Sequence, residues 1–98
     1  TGAQSGVLQR RLGLPRGVAV TQGGKIMVAE TFGRRISVFD PSGASIIDVF
    51  PDASTEGVAN DGLLEAPESL VWDEESSRLY VTDVNAGRIK VYNYLLED

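Results

Sequence analysis

The sequence contains neither cysteine nor histidine among its 98 residues. Without cysteine, the chain can form no disulfide, no thiolate metal site and no c-type haem attachment. Without histidine, it offers no imidazole base and no imidazole metal ligand. These absences exclude the metal centres and catalytic dyads or triads that are built on thiolate or imidazole, and we predict no bound metal and no cofactor.

Long hydrophobic runs are also absent. No stretch approaches the ~18 apolar residues of a membrane-spanning helix, so we predict no membrane insertion. The net charge of −5 and the pI of about 4.6 argue against a nucleic-acid partner, because such partners are held through phosphate contacts with lysine and arginine. A start at Thr1 rather than methionine indicates either a processed mature end, which favours an extracytoplasmic protein, or an excised piece.

Basic residues are missing from the middle of the chain. Residues 40–77 carry ten acids and no base, whereas residues 1–39 carry six bases and one acid. A charge run of this kind is typical of a solvated loop and rim. Four residues of this stretch could offer oxygen ligands to calcium, but they lack the alternating order of a known calcium loop. They are Asp52, Glu56, Asn60 and Asp61.

The chain does contain an internal repeat. The segment PRGVAVTQGGKIMVAETFGRRISVF, from Pro15 to Phe39, returns as PESLVWDEESSRLYVTDVNAGRIKVY, from Pro67 to Tyr92. The offset is 52 residues at the start and 53 after one residue has been added in the first turn of the second repeat. A period of this size predicts a repeat architecture, in which one unit cannot bury its faces alone.

Each repeat has the pattern of short antiparallel strands joined by tight turns. Apolar residues alternate along the strands, and turn residues separate them at Gln22–Gly24 and at Asp40–Gly43. The predicted strands are Gly6–Leu12, Gly17–Thr21, Lys25–Glu30, Arg35–Asp40, Ala44–Phe50, Glu68–Asp73, Arg78–Asp83 and Arg88–Tyr94. Repeated four-stranded meanders predict an all-β fold built of β-propeller blades.

Several of these residues resemble the NHL repeat of six-bladed β-propellers. They are Pro-x-Gly-Val-Ala-Val at 15–20, the Gly23-Gly24 turn, Ile-x-Val-Ala-Glu at 26–30 and Arg-Ile-x-Val-Phe-Asp-x-x-Gly at 35–43. The second repeat matches at 67, 79–83 and 88–92. The resemblance implies two blades of a six-bladed ring. It divides the chain into an outer strand (1–14) that completes another blade, a first blade (15–50), an acidic connecting loop (51–66) and a second blade (67–98) without its outer strand.

Four charged residues recur at the strand ends. Glu30 and Asp83 close the second strand of each repeat, where a carboxylate can accept hydrogen bonds from the amides of the following turn. Arg35 and Arg88 begin the third strand, and we expect them to pair with acids on a neighbouring strand or blade. We therefore predict structural, turn-fixing roles for all four.

Three residues are candidates for binding. Phe32, Arg34 and Asn85 occupy equivalent loops of the two repeats, and loops on a rigid scaffold often carry binding. Trp72 lies on the innermost strand of the second repeat, where packing between blades is the expected role rather than ligand stacking.

The sequence favours a non-enzymatic function, because no acid has a defined catalytic partner. We predict a β-propeller scaffold or protein-interaction module. The alternative is a fragment of an enzyme or ligand-binding NHL propeller whose active residues lie in blades absent from this chain. The family includes zinc-dependent lyases with histidine ligands, and a piece without histidine cannot hold that activity alone.

Strand counting predicts self-association. The first predicted strand lacks its three inner partners, and the second blade lacks its outer strand, so the two defects are complementary. Three two-blade chains would supply six blades, and a head-to-tail contact closes into a ring when its rotation divides the circle. The remaining blades of a longer protein could take the place of the other chains, and a further protein partner could bind the finished ring.

Overall fold

The computed structural model describes residues 12–51 and 64–94, which form two antiparallel β-sheets and no helix. The first sheet contains β1 (Pro15–Val20), β2 (Ile26–Glu30), β3 (Arg35–Phe39) and β4 (Ile46–Phe50). The second contains β5 (Pro67–Asp73), β6 (Arg78–Asp83) and β7 (Arg88–Asn93). The all-β class is therefore confirmed. The predicted strand Gly6–Leu12 lies outside the described residues except for Leu12.

Tight turns connect neighbouring strands in chain order, so both sheets are meanders. Between β1 and β2, the Gly24 amide donates to the Thr21 carbonyl at 2.9 Å. Between β3 and β4, the Gly43 amide donates to the Asp40 carbonyl at 2.9 Å, and the Asp40 carboxylate accepts the Ser42 hydroxyl at 2.7 Å. Both turns lie where the glycine and Asp-Pro-Ser-Gly patterns predict them.

The turn before β4 is longer than predicted, and β4 begins at Ile46 rather than Ala44. The Asp40 carboxylate also accepts the Ala44 amide at 3.3 Å, and the Asp40 amide donates to the Ser45 carbonyl at 3.0 Å. Asp40 therefore organises the whole turn through its side chain and its backbone, which shortens the strands on both sides.

The core lies between the two sheets, and the strand register shows which faces meet, because directly paired residues point to the same side. The first sheet contributes the face that carries Ala19, Met27, Ala29, Ile36 and Val38, which we call its leading face. The second sheet contributes Leu70, Trp72, Leu79, Val81 and Tyr92, which we call its trailing face. The buried residues of these two faces form the hydrophobic core together with Phe50 and Leu64, and the partly buried Ala19, Leu70 and Trp72 pack against it.

The repeat shows that the two contacting faces are not equivalent. The repeat offset maps the leading face of the first sheet onto Val71, Tyr80, Thr82, Ile89 and Val91, which is the leading face of the second sheet. The trailing face of the first sheet is, by the same offset, Val18, Val20, Ile26, Val28 and Phe39. The interface between the sheets is therefore heterologous: a leading face packs against a trailing face.

Strands β1 and β5 lie side by side across this interface, and residues meet their own repeat counterparts. Arg16 Nη1 lies 3.2 Å from Glu68 Oε2, and the Gln22 amide donates to Glu74 Oε1 at 2.7 Å; each pair is separated by 52 residues. The later residue of β1 meets the later residue of β5, so the two strands run in the same direction. Gly17 allows the close approach, since a Cβ there would lie 2.3 Å from the Glu68 carbonyl oxygen.

Candidate functional site: a cleft at the loop end of the sheets

The β2–β3 turn and the β6–β7 turn lie at one end of the two sheets, each held by the segment that precedes the first strand of its own sheet. The Thr31 amide donates to the Leu14 carbonyl at 3.0 Å, and the Val84 amide donates to the Ala66 carbonyl at 3.1 Å. These are equivalent bonds in the two repeats. The repeat therefore positions both loops in the same way.

Two buried carboxylates reinforce this arrangement. Glu30 Oε1 accepts the Gly13 amide at 2.8 Å, and the Asp83 carboxylate accepts the amides of Glu65 and Ala66 at 3.0 and 2.8 Å. Both acids are almost fully buried. They tie the end of the second strand to the chain entering the first strand.

The donor amides differ from the predicted ones. The sequence pattern predicts donors in the turn that follows each acid, whereas the donors of Glu30 and Asp83 lie in the segment before the first strand. In the first repeat the turn amides have other acceptors, because Phe32 and Gly33 donate to the Gly13 carbonyl at 2.9 and 3.2 Å. The prediction of the donors was wrong for this reason.

Glu30 also carries a charged network. Its carboxylate accepts hydrogen bonds from Arg35 Nε at 2.9 Å and Arg35 Nη2 at 3.0 Å, and from the Ser37 hydroxyl. Burial opposes ionisation and by itself raises the pKa of Glu30, but the hydrogen bonds from Arg35, Ser37 and the Gly13 amide outweigh it, so the pKa is lowered. The Arg35 guanidinium is thereby held by an acid on the neighbouring strand.

The second repeat lacks this network. Arg88 lies opposite Asp83 in the register, yet within the described ranges no ion pair joins them. The predicted pairing of Arg88 with an acid therefore has no partner in this part of the chain. Burial, with a contribution from the negative charge of Asp83 and opposed by Arg88, raises the pKa of Tyr92 to about 12. The hydroxyl of Tyr92 therefore stays protonated at an alkaline pH at which an exposed tyrosine would ionise.

A cleft of about 370 Å³ opens between the two loops. Its lining includes all three predicted binding residues, Phe32, Arg34 and Asn85. The remaining lining residues are Arg16, Thr31, Glu65, Ala66 and Val84. Sequence reasoning missed these five, because only the side-by-side placement of the sheets brings the two repeats to one opening.

The floor and the rim of the cleft differ in how deeply their side chains are buried. The Thr31 hydroxyl donates to the Pro67 carbonyl at 2.7 Å and so joins the first loop to β5 in a buried position. Phe32, by contrast, is 77% exposed, and Arg34 and Asn85 are also exposed. The cleft thus has a hydrogen-bonded floor and three exposed side chains that a partner could contact.

Trp72 lies away from this cleft. It is half-buried against the core between the sheets, and its indole Nε1 donates to Glu74 Oε1 at 2.7 Å. The same carboxylate accepts the Gln22 amide, and this bond, followed by the one from Trp72, lowers the pKa of Glu74. Trp72 therefore packs between the sheets at the end opposite the cleft.

In the described part of the chain, no three acidic side chains converge in a way that could hold a metal ion. The four calcium candidates Asp52, Glu56, Asn60 and Asp61 lie outside that part. A helix long and apolar enough to cross a membrane does not occur in residues 12–51 or 64–94. Neither a protein-family model nor a curated protein matches the chain.

Proposed function

We propose that this chain is a non-enzymatic scaffold whose sheets are blades of an NHL-like β-propeller, closed into a ring by other copies of itself and presenting the loop-end cleft to a protein partner. The observation that carries the proposal is the heterologous packing of the two repeats. The leading face of the first sheet packs against the trailing face of the second, and β1 meets β5 at residues that are counterparts in the two repeats. A rotation from one unit to the next produces this relation.

The leading face of the second sheet is open. Three of its valine and isoleucine side chains are more than half exposed: Val71 at 63%, Ile89 at 64% and Val91 at 51%. Their counterparts in the first sheet, Ala19, Ile36 and Val38, lie in or against the core. An open apolar face whose counterpart is buried by a sheet is expected to be covered by another sheet.

The complementary face is open on β1. Val18 and Val20 are 63% and 57% exposed, whereas their counterparts Leu70 and Trp72 pack against the core. Farther along this trailing face, Val28 and Phe39 are already buried. The exposed part of the trailing face therefore lies on β1. Strand β5 of a neighbouring copy would run beside it.

Two sheets per chain suit a closed ring of several chains. Three copies would supply six sheets, the number in the six-bladed family that the sequence resembles. In a longer protein, further repeats of the same chain would fill the same positions. The alternative function, an enzyme or ligand-binding propeller with its active residues in such further repeats, is compatible with the same packing.

The two buried acids, Glu30 and Asp83, favour a non-enzymatic function. A general acid or base needs a free position for substrate within hydrogen-bond reach. Glu30 instead accepts bonds from an amide, a guanidinium and a hydroxyl, and Asp83 accepts two amides. Both carboxylates are buried behind the loops, and their hydrogen bonds hold the loop end of the sheets in place.

Sedimentation velocity on the purified 98-residue chain tests this function. We expect the unmodified chain to sediment as an assembly several times its 10.5 kDa mass. The double substitution Ile89→Glu and Val91→Glu places charges on the open leading face and should disperse the assembly. Ile47→Glu is the matched control, because Ile47 is 46% exposed and lies unpaired at the bulge of β4.

A folded, monodisperse species at 10.5 kDa would contradict the proposal. Circular dichroism in the near ultraviolet shows whether the dispersed variant retains packed aromatic rings, such as the pair Phe50 and Tyr92 with centroids 5.2 Å apart. Equal loss of assembly in the Ile47→Glu control would show that the effect is not specific to the leading face.

A further inference from the structure

We propose that the loop-end cleft binds the carboxylate of an exposed aspartate or glutamate on a partner protein, with Arg34 as the group that recognises it. This inference rests on the proposed interaction function and names the chemistry of the partner. Three independent features of the cleft support it: the pairing state of its arginines, the backbone conformation of Arg34, and the character of its walls.

The first feature is charge. Arg16 is engaged with Glu68 at 3.2 Å, and Arg35, next to the cleft, is held by Glu30. Arg34 makes no hydrogen bond or ion pair with any of the described residues, and its side chain is exposed at the opening. One guanidinium with no partner among residues 12–51 and 64–94 therefore lies in this cleft. Its planar fork matches a carboxylate with two parallel hydrogen bonds.

The second feature is the backbone. Arg34 has a φ of 55°, in the left-handed region that L residues rarely adopt. Its counterpart in the second repeat is Gly87, with a φ of 66°, which adopts this conformation without a steric penalty. The first repeat thus keeps an arginine where the geometry favours glycine. A strained backbone conformation at a residue whose side chain lines an open cleft is a reason to infer a function for that side chain.

The third feature is the wall. The Phe32 ring is 77% exposed and Val84 is 50% exposed, so two apolar groups flank the polar opening. The Asn85 amide adds donors and an acceptor. Such a site suits an acidic side chain carried on a peptide, whose backbone and neighbouring methylenes would lie against the ring.

The acidic group Glu65 limits the ligand charge. Glu65 lines the same cleft, and its repulsion of an anionic ligand grows with the negative charge of that ligand. A phosphate group with nearly two negative charges would meet repulsion from Glu65 and from a chain of net charge −5. We therefore assign the cleft to a carboxylate rather than to a phosphorylated residue.

NMR titration of the full ¹⁵N-labelled chain tests the assignment. The probes are N-acetyl-glutamate amide, its glutamine counterpart and N-acetyl-phosphoserine amide. We expect the Arg34 Nε and Asn85 side-chain signals to shift in a saturable way with the glutamate probe, with a dissociation constant on the order of millimolar for so small a ligand. The glutamine probe should cause no saturable shift, because it lacks the charge.

The decisive variant is Arg34→Gly. Glycine fits the left-handed φ, so the variant should melt at a higher temperature than the unmodified chain and yet lose binding at least tenfold. Ser77→Gly is the matched control, because Ser77 also has a φ of 55° but lies in the β5–β6 turn, at the end of the sheets away from the cleft. It should raise the melting temperature and leave binding unchanged.

Three outcomes would overturn the assignment: unchanged binding in Arg34→Gly, equal shifts with the glutamine probe, or tighter binding of the phosphoserine probe. Sedimentation velocity on the same samples separates this inference from the proposed function. An intact assembly that does not bind glutamate rejects the cleft assignment alone, whereas a bound monomer rejects the ring and retains the cleft.

Discussion

The Glu30 side chain joins three parts of the first sheet. Its carboxylate connects the end of β2 to the Gly13 amide before β1, and to Arg35 and Ser37 on β3. A buried carboxylate is stabilised in its charged form only when such donors surround it. The fold depends on its ionisation for this reason, and this dependence makes the network testable by pH.

The pKa of Glu30 is lowered from its ordinary 4.5, so folding stabilises the ionised form. That contribution to stability is present above pH 4.5 and is lost as the pH falls through the lowered pKa. We expect Glu30→Gln to reduce the free energy of unfolding at pH 7 by about 1–3 kcal/mol, because charged hydrogen bonds are lost. Urea unfolding at pH 7 and pH 3 measures the effect.

The difference in free energy of unfolding between the unmodified chain and Glu30→Gln should be smaller at pH 3. At that pH Glu30 is largely protonated in the unfolded chain, so its ionised form contributes less to the stability of the folded chain. A constant difference across this range would show that Glu30 contributes through packing rather than through its charge.

Asp83 and Phe32 differ sharply in what their side chains contact. Asp83 is 1% exposed and accepts two backbone amides, whereas Phe32 is 77% exposed. We expect Asp83→Ala to lower the free energy of unfolding by about 1–3 kcal/mol, because two buried amides lose their acceptor. Phe32→Ala should leave it nearly unchanged. Denaturant melts that rank the two variants the other way would reject this division between structural acids and accessible loop residues.

The sequence predicts the positions of these side chains but not all of their partners. Glu30 and Asp83 end alternating strands, and Phe32, Arg34 and Asn85 sit in the short turns, so local pattern is sufficient to place them. The backbone amides that donate to Glu30 and Asp83 lie 17 or 18 residues earlier in the chain. No local pattern encodes a bond across that distance, because it depends on how the entering segment packs.

At the level of the elements, the strands fall into two classes of burial. Four consecutive residues at the end of β2 and of β3 are buried, so both faces of the first sheet are covered there. In β6, buried residues alternate with half-buried or exposed ones, as expected for a sheet with one open face. The run Met27-Val28-Ala29 shows the first case already in the sequence, and the alternation in Arg78–Asp83 shows the second.

Gly17 determines how closely β1 approaches β5. A Cβ at this position would lie 2.3 Å from the Glu68 carbonyl oxygen, and backbone atoms cannot move away as a flexible side chain can. We expect Gly17→Ala to lower the free energy of unfolding by about 1–3 kcal/mol through overpacking. Thermal unfolding followed by circular dichroism measures the loss.

Gly23→Ala is the matched control for this substitution. Nothing lies within 4 Å of a Cβ at Gly23, so added bulk meets open space. The control should change the melting temperature little. Equal destabilisation by both alanines would show that the effect arises from the loss of glycine in a hairpin rather than from contact between β1 and β5.

At the scale of the whole molecule, the cleft and the interface share one origin. Both arise because the second repeat packs beside the first, so that Arg16 and Glu65 reach one opening although they belong to different repeats. The sequence predicts the repeat itself and its strands. It cannot predict which face of one sheet meets which face of the next, because both faces are apolar in each repeat.

Assembly of the proposed ring requires that the open leading face of the second sheet in one copy packs on the part of the trailing face that is open on β1 in the next copy, with β5 beside β1 at counterpart residues. The native chain has no cysteine, so single cysteines report contacts without a background. Within one chain, the side chains of Arg16 and Glu68 meet at 3.2 Å. Between copies, the same relation would bring Glu68 of one copy to Arg16 of the next.

The measurement is oxidative crosslinking of two single variants, Arg16→Cys and Glu68→Cys. Each variant is oxidised alone, and the two are then unfolded, mixed, refolded together and oxidised. A disulfide needs the two Cα atoms within about 7 Å, so it reports direct contact. Head-to-tail packing predicts a disulfide-linked dimer in the mixture and none in either variant alone. A dimer formed by one variant with itself, or no dimer in the mixture, would contradict the claim.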